Sequence, residues 1–118
     1  MADAGLFVGF GNPTRGREEQ AIELFNETIG YYSRLQEDGE IENFEPVFLE
    51  PHGGDLNGFI LIRGDAEKLA SLRVNEEFTQ FATRATLIVE NFGIVGADLA
   101  ERLQRQMEYY TEQIGAFA

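Results

Sequence analysis

The sequence predicts an α+β domain with a four-stranded antiparallel sheet and one helix more than the sheet's crossovers need. Three observations predict it. Short apolar runs bounded by Gly, Pro, Asn and Asp recur along the chain. Segments of helical period lie between them. Their order is strand, helix, strand, strand, helix, strand, and then a final helix.

The first strand is Leu6-Phe7-Val8-Gly9-Phe10, closed by Gly11-Asn12-Pro13-Thr14. Apolar residues then recur at Ala21, Ile22, Phe25, Ile29, Tyr32 and Leu35, giving a helix over roughly 17–37. Gly39 is placed to end it, where a left-handed residue is wanted. The second strand runs from Phe44 to Leu49 and contains Pro46, which cannot donate to a ladder and so marks an edge strand. Asp55 to Gly58 carry hairpin turn chemistry and lead into the third strand, Phe59-Ile60-Leu61-Ile62.

Asp65 is read as the cap of a short helix holding Leu69 and Leu72, and Asn75 as the cap of the next. The second of these would bury Phe78, Phe81, Ala82 and Ala85. The fourth strand is expected at Leu87-Ile88-Val89 and on through Phe92, Ile94 and Val95. Asp98 and Glu101 suit a capping box for the last helix, whose stripe is Leu99, Leu103, Met107, Tyr110, Ile114 and Phe117. The order β-α-β-β-α-β is the ferredoxin-like arrangement.

At 118 residues the chain is expected to form one domain, 1–118, with an ordinary core. It contains no cysteine, which excludes disulfides and thiolate chemistry and suits a reducing cytoplasm. The net charge is −12, from 21 acidic and 9 basic residues. So few bases disfavour nucleic acid and anionic membrane as partners. No signal peptide or membrane span is expected.

All four strands carry apolar residues at consecutive positions, the pattern of a sheet covered on both faces. The crossover helices cover one face only. Either the last helix folds back over the other, or a second copy of the chain packs there; the second copy is the expectation.

From Gly58 to Phe81 the sequence resembles the dimeric α+β barrel superfamily. An apolar strand, Gly58-Phe59-Ile60-Leu61-Ile62-Arg63-Gly64, runs into Asp65-Ala66-Glu67-Lys68-Leu69 and then Asn75-Glu76-Glu77-Phe78. The resemblance implies a homodimer joined through its sheet faces. It also implies relatives among cofactor-independent monooxygenases, isomerases and haem-binding enzymes. The chain departs from the haem-binding members, having no Trp and a single histidine, His52, outside any helix.

Gly11 and Gly16 have P-loop spacing, but Arg17 and Glu18 stand where Lys and Ser or Thr belong. The segment is read as a strand-to-helix turn. His52 and Glu50 share a face if the second strand continues past Pro51, and would then form an acid/base couple, the carboxylate orienting the ring. A metal needs more ligands than His52, Glu50 and Asp55 supply, so neither metal nor cofactor is expected. Tyr31, Tyr32, Phe25, Phe78, Phe81 and Phe92 are candidates to line an apolar cavity between helices and sheet. Asn12, Arg63 and Tyr32 are candidate polar contacts there, as related folds imply.

Two functions follow. One is non-catalytic binding of a small metabolite or a protein partner. The other is a monooxygenase-like or isomerase-like enzyme acting on an aromatic or polyketide-like molecule. The scarcity of catalytic residue types favours the first.

Overall fold

A computed structural model describes residues 3–117. Strand β1 (Ala4–Phe10) leads to helix α1 (Glu18–Glu37), then β2 (Asn43–Phe48) and β3 (Gly58–Gly64). Helices α2 (Ala66–Arg73) and α3 (Glu76–Ile88), strand β4 (Gly93–Asp98) and helix α4 (Ala100–Phe117) follow. The sheet order is β2-β3-β1-β4, antiparallel throughout, the ferredoxin-like order expected.

Local chemistry sets most helix ends. Gly39 takes φ +75°, its N–H bonds to Gln36 O, and Glu40 N–H bonds to Leu35 O, which closes α1 in a Schellman motif. The Asp65 carboxylate accepts from Lys68 N–H, and the Asn75 side chain from Phe78 N–H at 3.1 Å. Pro46 lies on β2, an edge strand, as its missing N–H requires.

The two faces of the sheet differ. Leu6, Val8, Ile60 and Ile62 point toward the helices and are almost fully buried with Tyr31, Tyr32, Leu69 and Phe78. The alternate residues Phe7, Phe59, Leu61 and Val95 point the other way, where no helix lies over them, and the rings of Phe7 and Phe59 stack at 5.0 Å. Leu99 lies at the β4 edge of this far face, since a Cβ built on Gly5 would come within 3.1 Å of Leu99 Cδ1.

Two expectations are corrected. Leu87 and Ile88 belong to α3, and the fourth strand begins only at Gly93. Ile88 continues the helix's buried face beyond Ala85 and packs with Leu24, and that burial outweighs the β preference of a Leu-Ile-Val run. Val89 makes a lone bridge to Pro13. Asp98, read as the cap of the last helix, is the final residue of β4 and pairs with Arg102 at 3.7 Å. The helix opens at Ala100, which has φ +48°, and the Leu99 carbonyl accepts its first hydrogen bonds.

Candidate functional site

Helices α1 and α3 run antiparallel and touch in steps of three or four residues. Arg34 pairs with Glu77 at 3.3 Å, the rings of Tyr31 and Phe81 stack, and Arg84 pairs with Glu27 at 2.6 Å. Leu24 meets Ala85 and Ile88 at the far end. The two arginines also lie over the stacked rings, Arg34 on Tyr31 and Arg84 on Phe81. Beneath these contacts, between the two helices and the sheet, the structure leaves a space.

That space is a cavity of about 330 Å³ bounded by α1, α3 and the helix-facing side of the sheet. Its walls are Val8, Ile60, Phe25, Phe78, Phe81 and Ile94, with Ile22 and Phe48, each 64% exposed, at the rim. Among the described residues lining it, only Thr28, Tyr32 and Asn57 carry polar side-chain atoms. Tyr32 is 3% exposed and makes no side-chain hydrogen bond among the described residues, yet its oxygen is not sealed from solvent. Tyr32 is one of the residues that line the cavity. Burial, and then the neighbouring Tyr31, push its pKa well above the usual phenol value, so it stays a neutral donor and acceptor.

Tyr32, Phe25, Phe78, Phe81 and Phe92, expected at the cavity, line it, whereas Tyr31, also expected there, stacks on Phe81 between the two helices and is not part of the lining. The other sequence candidates lie elsewhere. Arg63 is on the far face of the sheet, beside Asn43 at 3.3 Å and Glu45 at 3.5 Å, because it alternates with the buried Ile62. Asn12 is exposed, and its backbone is tied to α3's end, its carbonyl accepting from Glu90 N–H at 2.9 Å.

His52 and Glu50 are exposed loop residues. The strand that would have aligned them stops at Phe48, so they are not brought together as a couple. The His52 ring instead folds its own loop: Nδ1 accepts from Gly54 N–H, and Nε2 lies 2.7 Å from Leu56 O.

Thr28 and Asn57 are absent from the sequence-based set. Thr28 was legible in principle, standing three residues after Phe25 and four before Tyr32 on one helical face. Asn57 carried no signal, since only the hairpin's closure onto Phe10, where Asn57 N–H bonds to the Phe10 carbonyl, brings it to the cavity.

The turn after β1 is fixed by close packing. Gly11 N–H bonds to Glu90 O at 2.7 Å, and a Cβ at Gly11 would meet that oxygen at 2.6 Å and Asp55 O at 2.9 Å. Only glycine fits between the two carbonyls. The segment is a strand-to-helix turn, not a phosphate loop.

No family profile matches the chain, and no curated protein matches its sequence. Solved structures match its fold. A dimeric ferredoxin-like protein of unknown function from Jannaschia sp. CCS1 is 15% identical with a TM-score of 0.60, covering 82% of this chain and 98% of that one. The chain shares the ferredoxin-like fold of that protein. A second such dimeric protein, from Bacteroides fragilis, has 10% identity and a TM-score of 0.58, covering 81% of this chain and 96% of its own. SnoaB of Streptomyces nogalater, a cofactor-independent oxygenase, has 16% identity and a TM-score of 0.54, with 85% and 96% covered. In each case the other chain is almost wholly matched, while a larger share of this one is left over.

Proposed function

We propose that this chain is a non-catalytic binding domain. It takes an apolar small metabolite into the cavity beneath α1 and α3, and it works as a homodimer joined through the far face of its sheet. The observation that carries the reading is the cavity's composition. A pocket with apolar walls and three polar side chains orients a ligand without supplying an acid/base pair. Tyr32, kept protonated by burial, donates one hydrogen bond to a carbonyl or hydroxyl of such a ligand and is no base at neutral pH.

The dimer is supported by the far-face row of Phe7, Phe59 and Leu61, partly exposed, and Val95, exposed, and by the dimeric state of the two structural relatives from Jannaschia and Bacteroides. No helix among the described residues is long and apolar enough to cross a membrane. The absence of cysteine suits a cytoplasmic setting.

The second reading is a cofactor-independent oxygenase for an aromatic or polyketide-like substrate. SnoaB's shared fold and the aromatic lining favour it. It requires a base that draws a proton from the substrate inside the cavity.

The test is binding of an apolar fluorescent probe, anilinonaphthalene sulfonate, to the folded protein and to Ala82→Phe, which fills the cavity. One site per protomer, lost in the variant with unchanged far-UV dichroism, is the expected result. Equal binding by both proteins rejects the cavity as the site.

A further inference from the structure

We infer that α4 is an arm that packs on the second copy of the chain, its stripe continuing the interface begun by the sheet. The inference rests on the dimer reading above. Not one residue of α4 is buried, although the helix is 18 residues long and amphipathic. Leu103, Met107, Tyr110, Ile114 and Phe117 form one charge-free stripe, each at least half exposed. A single helix of this length is marginal in water and draws its stability from packing an apolar face. Its own protomer offers α4 no such packing. The radius of gyration, 16.3 Å, exceeds the roughly 13–14 Å of a compact chain of this length, as expected when a helix stands away from the body.

Two features point to a second copy as the occupant. The first is continuity. Leu99 lies at the edge of the far sheet face, over Gly5, and α4 departs directly from it at Ala100. A partner seated on the sheet therefore meets the root of the stripe. Two chains of charge −12 can approach only where acids are few; the stripe carries none, and Glu45, the acid beside Leu61 on the sheet face, is paired with Arg63 at 3.5 Å.

The second feature is area. Four strands of six or seven residues present a footprint of about 400 Å². A stable interface needs about 800 Å² from each partner. One face of an 18-residue helix adds about 300 Å², which brings the total close to that size.

The experiment compares the full-length protein with Met107→Glu/Ile114→Glu and with Leu61→Glu, by sedimentation equilibrium and by amide hydrogen exchange. The α4 substitutions fall on exposed side chains, so the protomer's core is untouched. The arm predicts a dimer whose dissociation constant rises at least about tenfold in the α4 variant, the change that loss of one buried contact cluster brings. It also predicts that amides of 100–117 are protected in the wild-type dimer and lose that protection on dilution. A dimer whose constant is unchanged in the α4 variant, with α4 amides exchanging at peptide rates, overturns the arm and leaves the sheet dimer standing. Weakening by Met107→Glu/Ile114→Glu but not by Leu61→Glu keeps the arm and removes the sheet from the interface. A wild-type protein that is monomeric at high concentration overturns both.

Discussion

The rings of Tyr31 and Phe81 lie 4.8 Å apart and 8° from parallel, joining α1 to α3 above the cavity. This stack, flanked by two arginines, holds the roof of the site. Offset aromatic pairs of this kind contribute about 0.5–1.5 kcal/mol beyond the area they bury.

Phe81→Ala removes the stack and opens the cavity toward Ala82 and Phe92. Large-to-small changes of a buried Phe cost about 3–5 kcal/mol, and the partial exposure of Phe81 sets the expected loss nearer 2–3 kcal/mol. Urea unfolding measures it. Probe binding in the cavity should weaken as the walls move apart.

Asn75 serves two donors with one oxygen, Phe78 N–H at 3.1 Å and the Tyr31 hydroxyl at 3.4 Å. Asn75→Ala should lower stability by about 1 kcal/mol through loss of the cap. Asn75→Asp keeps an acceptor in place and should recover most of it. A thermal melt of the three proteins decides.

Burial raises the pKa of both Tyr31 and Tyr32 above 10.0; at Tyr31 Glu77 adds to the rise and Arg34 opposes it. Each phenol therefore holds its proton longer in the folded state than in the unfolded chain. Between the unfolded and folded pKa values the native state binds more protons, so stability falls as pH rises. The contribution is intact below about pH 10 and is lost above it. Unfolding midpoints at pH 8 and pH 11 should differ markedly in the wild type. Tyr32→Phe should narrow that difference.

The loop after β2 is tied by His52, whose Nδ1 must be unprotonated to accept from Gly54 N–H, leaving the proton on Nε2 for the Leu56 carbonyl. His52→Ala should cost about 0.5–1 kcal/mol and speed exchange of the Gly54 amide. Nitrogen-15 NMR of the ring should report the Nε2–H tautomer. The opposite tautomer would remove the loop-tying role.

What the sequence alone determined was the chemistry of local contact. Asp65, Asn75 and Gly39 act on backbone groups within a few residues, so their types and spacings announce the ends of α1, α2 and α3. The apolar runs and Pro46 announced the strands and one sheet edge for the same reason. Tyr32 was legible from the helical spacing of α1, and Phe78 and Phe81 from helical spacing within the segment Gly58 to Phe81 that carries the resemblance.

Tertiary structure decided whatever depends on contacts distant in the chain. Ile88 is helical because Leu24, far away in sequence, receives it. Arg63 leaves the cavity because its neighbour Ile62 takes the inward side of β3. Asn57 joins the cavity because its hairpin closes on Phe10, and His52 is spent on its own loop. The course of α4, free of its own sheet, is set by the backbone at Ala100 and not by the helix's amphipathic pattern. An apolar stripe states that a helix must be covered, and only the path of the chain determines which surface is within reach.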